Sequence, residues 1–268
     1  MILQRVISAV FIALLLIGAV LMLPPFWSAV ALSIVLLAAT WEWSGFLAAP
    51  AAPVRAVFIL VTVAAAAALW WLTGSVSWLR AVLWIALAFW SLALLWMFFF
   101  PRHVSRALVA VVGVLALSLA WVAVVRMRLD LAHGAHAVMY SLLIVWLADS
   151  GAYFAGRAFG RRKLAPAVSP GKTWAGLWGG LLTCAALAVL TSQMAGVSLQ
   201  SLLPVTLVVG VFSVVGDLTE SLCKRFAGLK DSGSLIPGHG GVLDRFDSLL
   251  AAAPILLLGI ELLPALQG

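Results

Sequence analysis

Charged residues are scarce in this chain of 268 residues, since they make up 9% of it while 65% of the residues are hydrophobic. Soluble domains average about 25% charged and about 45–50% apolar residues, and a domain of this size leaves roughly a quarter of its surface in contact with solvent. The composition therefore excludes a soluble globular protein and a disordered one. The apolar runs are also continuous rather than alternating, which excludes a transmembrane β-barrel.

Cysteine is scarce as well, with only two residues in the chain. Cys184 lies in an apolar run and Cys223 in a polar one, and neither has a second cysteine close by in sequence. This excludes a disulfide framework and a CxxC metal or redox pair. We interpret both residues as reduced thiols, with Cys184 packed among apolar side chains.

Nine long apolar runs, bounded by proline, glycine or charge, occupy most of the chain, and each approaches the roughly 20 residues that a helix needs to cross a bilayer. The first run exceeds the apolar core of a signal peptide, so we interpret it as a retained helix. The sequence predicts an all-α, polytopic integral membrane protein with about nine transmembrane helices. We divide it into N-terminal helices in 1–100 and C-terminal helices in 101–268. The predicted spans are 6–23, 26–48, 54–73, 78–100, 107–125, 138–156, 174–194, 199–219 and 246–264.

Lysine and arginine are distributed unevenly between the ends of these spans. With the N-terminus in the cytoplasm, thirteen of them lie near cytoplasmic ends and only Arg80, Arg126 and Arg128 near outer ends. The positive-inside rule therefore predicts a cytoplasmic N-terminus and an external C-terminus. The net charge of +7 is then explained by topology and by contact with lipid phosphate, and no nucleic-acid partner is predicted.

Most acidic residues lie in or beside two polar segments, 156–176 and 216–248, on the predicted cytoplasmic side. Asp217 ends an apolar run, and the spacing places Glu220, Ser221 and Lys224 on the same helix face. A carboxylate near membrane depth is costly unless it is paired, hydrated or metal-bound, so Asp217 is a functional candidate. The alternative is an interfacial aspartate paired with Lys224 or another cation.

Asp244 and Asp247 lie three positions apart at the predicted start of the last helix. Helix capping is one explanation, but capping needs only one acid. Two aspartates suit Mg²⁺ better, because that ion prefers hard oxygen ligands and often completes its coordination with substrate phosphates. Asp217, Asp244 and Asp247 are therefore the candidate metal ligands.

A glycine-rich loop connects these aspartates, and its glycines allow close approach of the backbone to a ligand. Exposed N–H groups beside cations form a natural phosphate site, whereas a solvated connector is the alternative. The candidate phosphate-binding residues here are Lys224, Arg225, Lys230, His239 and Arg245.

The segment SPGKTWAG (169–176) contains the letters GKT but is not a P-loop, because Pro166 stands where that motif requires glycine and no strand is predicted before it. Lys172 at a helix start suits a phosphate, and anchoring of topology is the alternative. Asp149 lies within or at the end of a span, so its role stays open between function and a bond to a neighbouring helix. Glu42, between two tryptophans, is interpreted as interfacial and given no catalytic role.

The segment SLCKRFAGLKDSGSLIPGHGGVLDRFD (221–247) resembles the signature of the phosphatidate cytidylyltransferases, also called CDP-diacylglycerol synthases. DSGAYFAGRAFG and SPGKTW, upstream and in the expected order, resemble secondary motifs of that family. The N-terminal spans match only in hydropathy. Cys223 replaces a larger apolar residue, which we attribute to packing, and Ala175 replaces a polar one and is given no role. The matching residues are Ser221, Lys224, Arg225, Lys230, Asp231, Pro237, Gly238, His239, Gly240, Gly241, Asp244, Arg245 and Asp247.

The resemblance implies a Mg²⁺-dependent nucleotidyltransferase of the bacterial inner membrane that converts CTP and phosphatidate to CDP-diacylglycerol and pyrophosphate in phospholipid biosynthesis. It also implies a homodimer, and K⁺ as a second ion beside Mg²⁺, whereas the residues by themselves support only the divalent ion. We expect Asp217, Asp244, Lys172 and Lys224 to be catalytic, and Lys172 to join the phosphate-binding cations named above. The C-terminal helices in 101–268 are thus expected to carry a catalytic site that faces the cytoplasm.

Two other functions fit parts of the sequence. A related CTP-dependent membrane kinase would phosphorylate a polyprenol and release CDP, but the signature is close to complete for the cytidylyltransferase. A secondary transporter would place its carboxylates near the bilayer midplane and usually shows internal repeats, whereas these carboxylates lie at one end of the spans.

Overall fold

The computed structural model describes residues 2–47, 51–99, 104–233, 235, 240–263 and 266, with side chains from residue 12 onward. In these ranges the chain forms nine α-helices, a two-stranded antiparallel sheet and two short 3₁₀ turns, Gly45–Leu47 and Leu243–Arg245. The elements in chain order are α1 (Ile2–Leu21), α2 (Pro25–Ser44), α3 (Ala52–Leu72), α4 (Val76–Phe99), α5 (Arg106–Asp130), α6 (Gly134–Phe159), β1 (Lys163–Ala165), β2 (Ser169–Thr173), α7 (Trp174–Ala195), α8 (Leu199–Phe226) and α9 (Asp247–Leu262).

Each predicted span coincides with one of these helices, which confirms the all-α polytopic fold class. Helices α2 to α8 are long and apolar enough to cross a membrane, so seven spans are supported by length and composition in the described part of the chain. Helix α9 has only 16 residues, and the described apolar part of α1 is short. The chain is a multi-pass membrane protein, whereas the count of nine spans stays a prediction.

Contacts between helix termini show that the helices run alternately up and down. At one end of the bundle, Trp43 Nε1 near the end of α2 donates a hydrogen bond to the carbonyl of Val109 in the first turn of α5 (3.1 Å). At the opposite end, Arg80 in the first turns of α4 pairs with Glu261 in the last turn of α9 (3.4 Å). The bundle therefore has two polar ends separated by its apolar middle.

Two buried arginines stabilise the second of these ends. Arg126 donates to the carbonyl of Trp70 at the end of α3 (2.6 Å) and lies over the ring of the same residue. Arg128 donates to the carbonyl of Leu23, directly after α1 (2.9 Å). Because the last carbonyls of a helix lack partners within it, these arginines satisfy polar groups that apolar surroundings would leave unpaired. Two of the three cations that were predicted to lie near the outer ends of the spans thus have a structural role.

Helix α9 lies at the centre of the bundle, although it is the shortest of the nine. It packs against α4, α5, α6 and α8, and residues 248–258 are all buried. Its N-terminus, where Asp247 lies, is therefore surrounded by the ends of several other helices. The division of the chain at residue 100 stays a prediction, and α4 contacts α8 and α9 across it.

The segment between α6 and α7 is a β-hairpin, so the prediction that no strand precedes GKT was wrong. Strands β1 and β2 pair with Lys163 opposite Thr173. Lys172 therefore lies on β2 rather than in a helix, and Thr173 begins α7 as its N-cap by accepting a hydrogen bond from the Gly176 N–H (3.1 Å). The strands are only three and five residues long, too short to produce a clear alternating pattern. Pro166 still excludes a P-loop.

Candidate active site

Lys172 and Asp217 form an ion pair between β2 and α8. Both side chains remain partly accessible, with about a quarter of each exposed, and Ser221 Oγ donates to Asp217 Oδ1 (3.2 Å). The pairing of Asp217 with a cation is therefore confirmed, but its partner is Lys172 rather than Lys224. The structure brings together two of the four residues predicted to be catalytic, although they lie 45 positions apart in sequence.

Lys224 lies between two carboxylates, Glu220 and Asp244. Its Nζ is 2.5 Å from Glu220 Oε2 and 2.6 Å from Asp244 Oδ1, so one ammonium group links the end of α8 to the turn before α9. Glu220 is completely buried, and its Oε1 has no hydrogen-bond partner among the described residues. We call Lys172, Asp217, Glu220, Lys224 and Asp244 the carboxylate–lysine cluster.

Asp244 is held from two sides by hydrogen bonds. Its Oδ2 accepts from the N–H groups of Ser232 and Gly241 (2.9 Å each), while Oδ1 faces Lys224. Burial raises the pKa of the Asp244 carboxyl, but the hydrogen bonds from Lys224, Gly241 and Ser232 outweigh that effect and hold its pKa below the ordinary value. Asp244 is therefore a pre-oriented, ionised carboxylate, as a ligand of a hard cation must be.

Asp247 begins α9, and its Oδ1 accepts a hydrogen bond from the N–H of Ser248 (2.6 Å). It interacts electrostatically with Asp217 and Glu220, which places it beside the carboxylate–lysine cluster. Asp149 of α6 also interacts electrostatically with Asp217 and Lys172. Four aspartates from three helices and a turn therefore face the same end of the bundle.

The remaining predicted phosphate-binding cations are more exposed. Arg225, Lys230 and Arg245 all have exposed side chains, and Arg225 donates to the carbonyl of Leu229 just after its own helix (3.3 Å). His239 lies outside the described residues. The structure thus separates two lysines held by carboxylates from three cations directed to the surface of the same end.

The interpretation of Glu42 as an interfacial residue stays a prediction, but the structure shows that its side chain is buried within the protein. Glu42 is 4% exposed, and its carboxylate accepts hydrogen bonds from Ser232, Val242 and Leu243 of the glycine-rich loop. Glu220 was recognised only as sharing a face with Asp217. The detectable signal for both residues was a carboxylate within or beside an apolar run, where an unpaired charge is costly.

The donor set is compatible with a bound Mg²⁺. No three His, Cys, Asp or Glu side chains are grouped as a ready metal site in the parts of the chain that the structure describes. Mg²⁺, however, is usually bound by one or two carboxylates together with waters and substrate phosphates, and Asp217 and Asp244 both lie in the carboxylate–lysine cluster. In the structure, the ammonium groups of two lysines, Lys172 and Lys224, contact these two carboxylates.

In the described residues, seven helices are long and apolar enough to cross a membrane, and carboxylates and lysines gather at one end of the bundle, which defines a multi-pass membrane protein with a polar site at that end. A family model described as the cytidylyltransferase family matches residues 3–263, and the chain belongs to that family. It is 39% identical over 276 residues to the phosphatidate cytidylyltransferase of Haemophilus influenzae, covering 94% of this chain and 96% of that protein. It is also 38% identical over 261 residues to the enzyme of that name from Pseudomonas aeruginosa, covering 94% of each chain.

A shorter match covers just under half of the chain. The phosphatidate cytidylyltransferase of Staphylococcus epidermidis is 48% identical over 126 residues, which is 46% of this chain. The chain is thus similar in sequence to nucleotidyltransferases across nearly its whole length.

Proposed function

We propose that this protein is a phosphatidate cytidylyltransferase, which joins the phosphate of phosphatidate to the α-phosphate of CTP. The observation that supports this most directly is the carboxylate–lysine cluster at one polar end of an otherwise apolar bundle. A lipid headgroup and a water-soluble nucleotide can both reach such a position. The identity to enzymes of that name over 94% of the chain supports the same reaction.

The reaction requires charge neutralisation more than a strong base. A phosphate oxygen of phosphatidate is already anionic, so it attacks the α-phosphorus of CTP directly, a new P–O bond forms, and the bond to pyrophosphate breaks. Cations that neutralise the reacting phosphates and hold them in line would lower the barrier. Lys172 and Lys224 would do this at the reacting phosphates after exchanging their carboxylate partners for phosphate oxygens. Arg225, Lys230, His239 and Arg245 would bind the outer phosphates.

Asp217 and Asp244 would hold Mg²⁺, with Asp247 as a third ligand. The ion would supply charge neutralisation and a fixed position for the nucleotide phosphates. Asp244 is suited to this role because three donors hold it ionised and oriented. K⁺ as a second ion rests only on the resemblance to the family.

The proposed setting is the bacterial inner membrane, with the N-terminus in the cytoplasm and the cluster facing the cytoplasmic supply of CTP. Phosphatidate would enter from the bilayer. The charge of the chain is accounted for by this topology, so we propose no nucleic-acid partner. A homodimer is proposed from the family resemblance only.

Turnover of purified protein tests this proposal against its alternatives. Incubation with CTP, Mg²⁺ and phosphatidate in mixed micelles should release pyrophosphate and form CDP-diacylglycerol in equal amounts, and EDTA should stop both. Release of CDP with a polyprenol instead would identify a CTP-dependent kinase. Absence of turnover with both lipids, in protein that remains folded by thermal unfolding, would contradict the proposal and favour a transporter.

A further inference from the structure

Glu42 is a buried carboxylate with no cation partner within the described part of the chain. It lies in the last turn of α2, whereas the residues that contact it lie about 190–200 positions later in sequence. An isolated buried charge is costly and is normally tolerated only when hydrogen bonds compensate it. The hydrogen bonds that offset the cost of burying Glu42 therefore indicate what this carboxylate does in the structure.

Among the residues that the structure describes, the hydrogen bonds to the Glu42 carboxylate come from the loop between α8 and α9. Oε2 accepts from Ser232 Oγ–H (3.0 Å) and from the N–H of Leu243 (2.7 Å), and Oε1 accepts from the N–H of Val242 (3.0 Å). One carboxylate thus links two separate parts of the loop, at residue 232 and at residues 242–243. Charge-assisted hydrogen bonds of this kind are stronger than neutral ones.

The same loop residues also hold Asp244. Ser232 donates its N–H to Asp244 Oδ2 (2.9 Å), and its Oγ accepts from the N–H of Asp244 (3.3 Å) while donating to Glu42. Ser232 is therefore shared by the two carboxylates. Any displacement of the Glu42 carboxylate would be transmitted through Ser232 to the orientation of Asp244.

The surrounding backbone leaves space for this carboxylate only because two neighbouring residues are glycine. A Cβ at Gly233 would lie 2.5 Å from Glu42 Oε1, and a Cβ at Gly241 would overlap Ser232 Oγ and Glu42 Oε2. The loop is therefore shaped around the side chain of Glu42, which argues against a solvated connector that meets it by chance.

We propose that Glu42 is a positioning residue for the active site. It does not contact the reacting groups, but it holds the loop so that Asp244 presents an ionised carboxylate to the metal and Lys224. This inference rests on the proposed function, because the orientation of Asp244 affects activity only if Asp244 binds the metal ion. Loss of a residue that orients a metal ligand typically costs about 10–100-fold in metal affinity or activity.

Glu42→Gln tests the proposal, because glutamine keeps the shape but replaces one acceptor oxygen with an NH₂ group that faces existing donors. We expect a tenfold or greater increase in the Mn²⁺ concentration needed for half-saturation, measured by electron paramagnetic resonance without substrate. Hydrogen exchange should accelerate at residues 240–244 and stay slow in α5 and α9. Glu42→Asp should give an intermediate result.

Trp43→Phe is the matched control. It also removes a buried hydrogen bond at the end of α2, but that bond goes to Val109 of α5 and not to the loop. It should lower the thermal stability and leave Mn²⁺ affinity and loop exchange unchanged. If Glu42→Gln lowers stability as Trp43→Phe does, with Mn²⁺ affinity within about twofold of wild type, Glu42 is merely structural. Failure of the wild-type protein to form CDP-diacylglycerol would contradict the proposed function instead, so the two failures are distinguishable.

Discussion

Asp217 and Asp244 are paired with different lysines, and both pairs lie in one cluster. We predict that Asp217→Asn and Asp244→Asn each lower turnover by about 100-fold or more, because each keeps the shape and a carbonyl oxygen but removes the charge that attracts Mg²⁺. Residues that act as a unit are not additive, so the double variant should be little worse than the worse single variant. Turnover with a Mg²⁺ titration measures all three.

Asp130→Asn is the control for these variants, because Asp130 pairs with Arg126 at the opposite end of the bundle and should tolerate the same substitution with normal turnover. An Asp217 or Asp244 variant that keeps more than about half of wild-type turnover, with unchanged Mg²⁺ dependence, would show that its residue is not a ligand. Asp247 would then be the next candidate.

Sequence spacing predicted contacts within one helix but not those between helices. Glu220 and Lys224 are four residues apart, a spacing that placed them on one face of α8, and the structure joins them in an ion pair. The pair Lys172–Asp217 depends on how the hairpin lies against α8, which no local pattern encodes. Glu42 was missed for the same reason, since its three donors belong to a loop at the far end of the chain.

The hairpin and the start of α7 form the element that positions Lys172. We predict that Thr173→Ala lowers the stability by about 1 kcal/mol through loss of the N-cap, loosens the first turn of α7 and raises the KM for CTP. Thr173→Ser keeps the capping hydroxyl and should behave as wild type. Thermal unfolding in detergent measures the stability, and steady-state kinetics measure the KM. A KM for CTP that is unchanged in Thr173→Ala would contradict the prediction that this turn positions Lys172 for CTP binding.

Hydropathy was sufficient to predict the helices because apolar runs of about 20 residues in a bilayer must satisfy their own backbone hydrogen bonds. It was not sufficient for the hairpin, where Leu164 and Val168 are buried among polar and proline residues. Short strands of this kind are stabilised by tertiary contacts rather than by periodicity. The boundaries of α2 and α9 likewise depended on local turns, at Gly45–Leu47 and Leu243–Arg245.

At the scale of the whole molecule, the alternation of helix ends places residues 157–173 and the loop 227–246 at one end of the bundle. Which end faces the cytoplasm depends on the distribution of cations. The burial of Arg126 and Arg128 strengthens that argument, because these two exceptions on the opposite side donate to backbone carbonyls at and just after helix ends. The exposed cations therefore show a stronger bias than the complete count.

Cysteine labelling of intact cells tests the orientation, since both native cysteines are buried and should give little background. Ala167 at the hairpin turn and Ser198 between α7 and α8 are exposed, and the 22 residues of α7 separate them by about 33 Å along its axis. We predict that a membrane-impermeant maleimide modifies Ser198→Cys in intact spheroplasts, and Ala167→Cys only after permeabilisation. The reverse pattern would place the carboxylate–lysine cluster on the outer side, away from cytoplasmic CTP, and would contradict both the topology and the proposed access of the nucleotide.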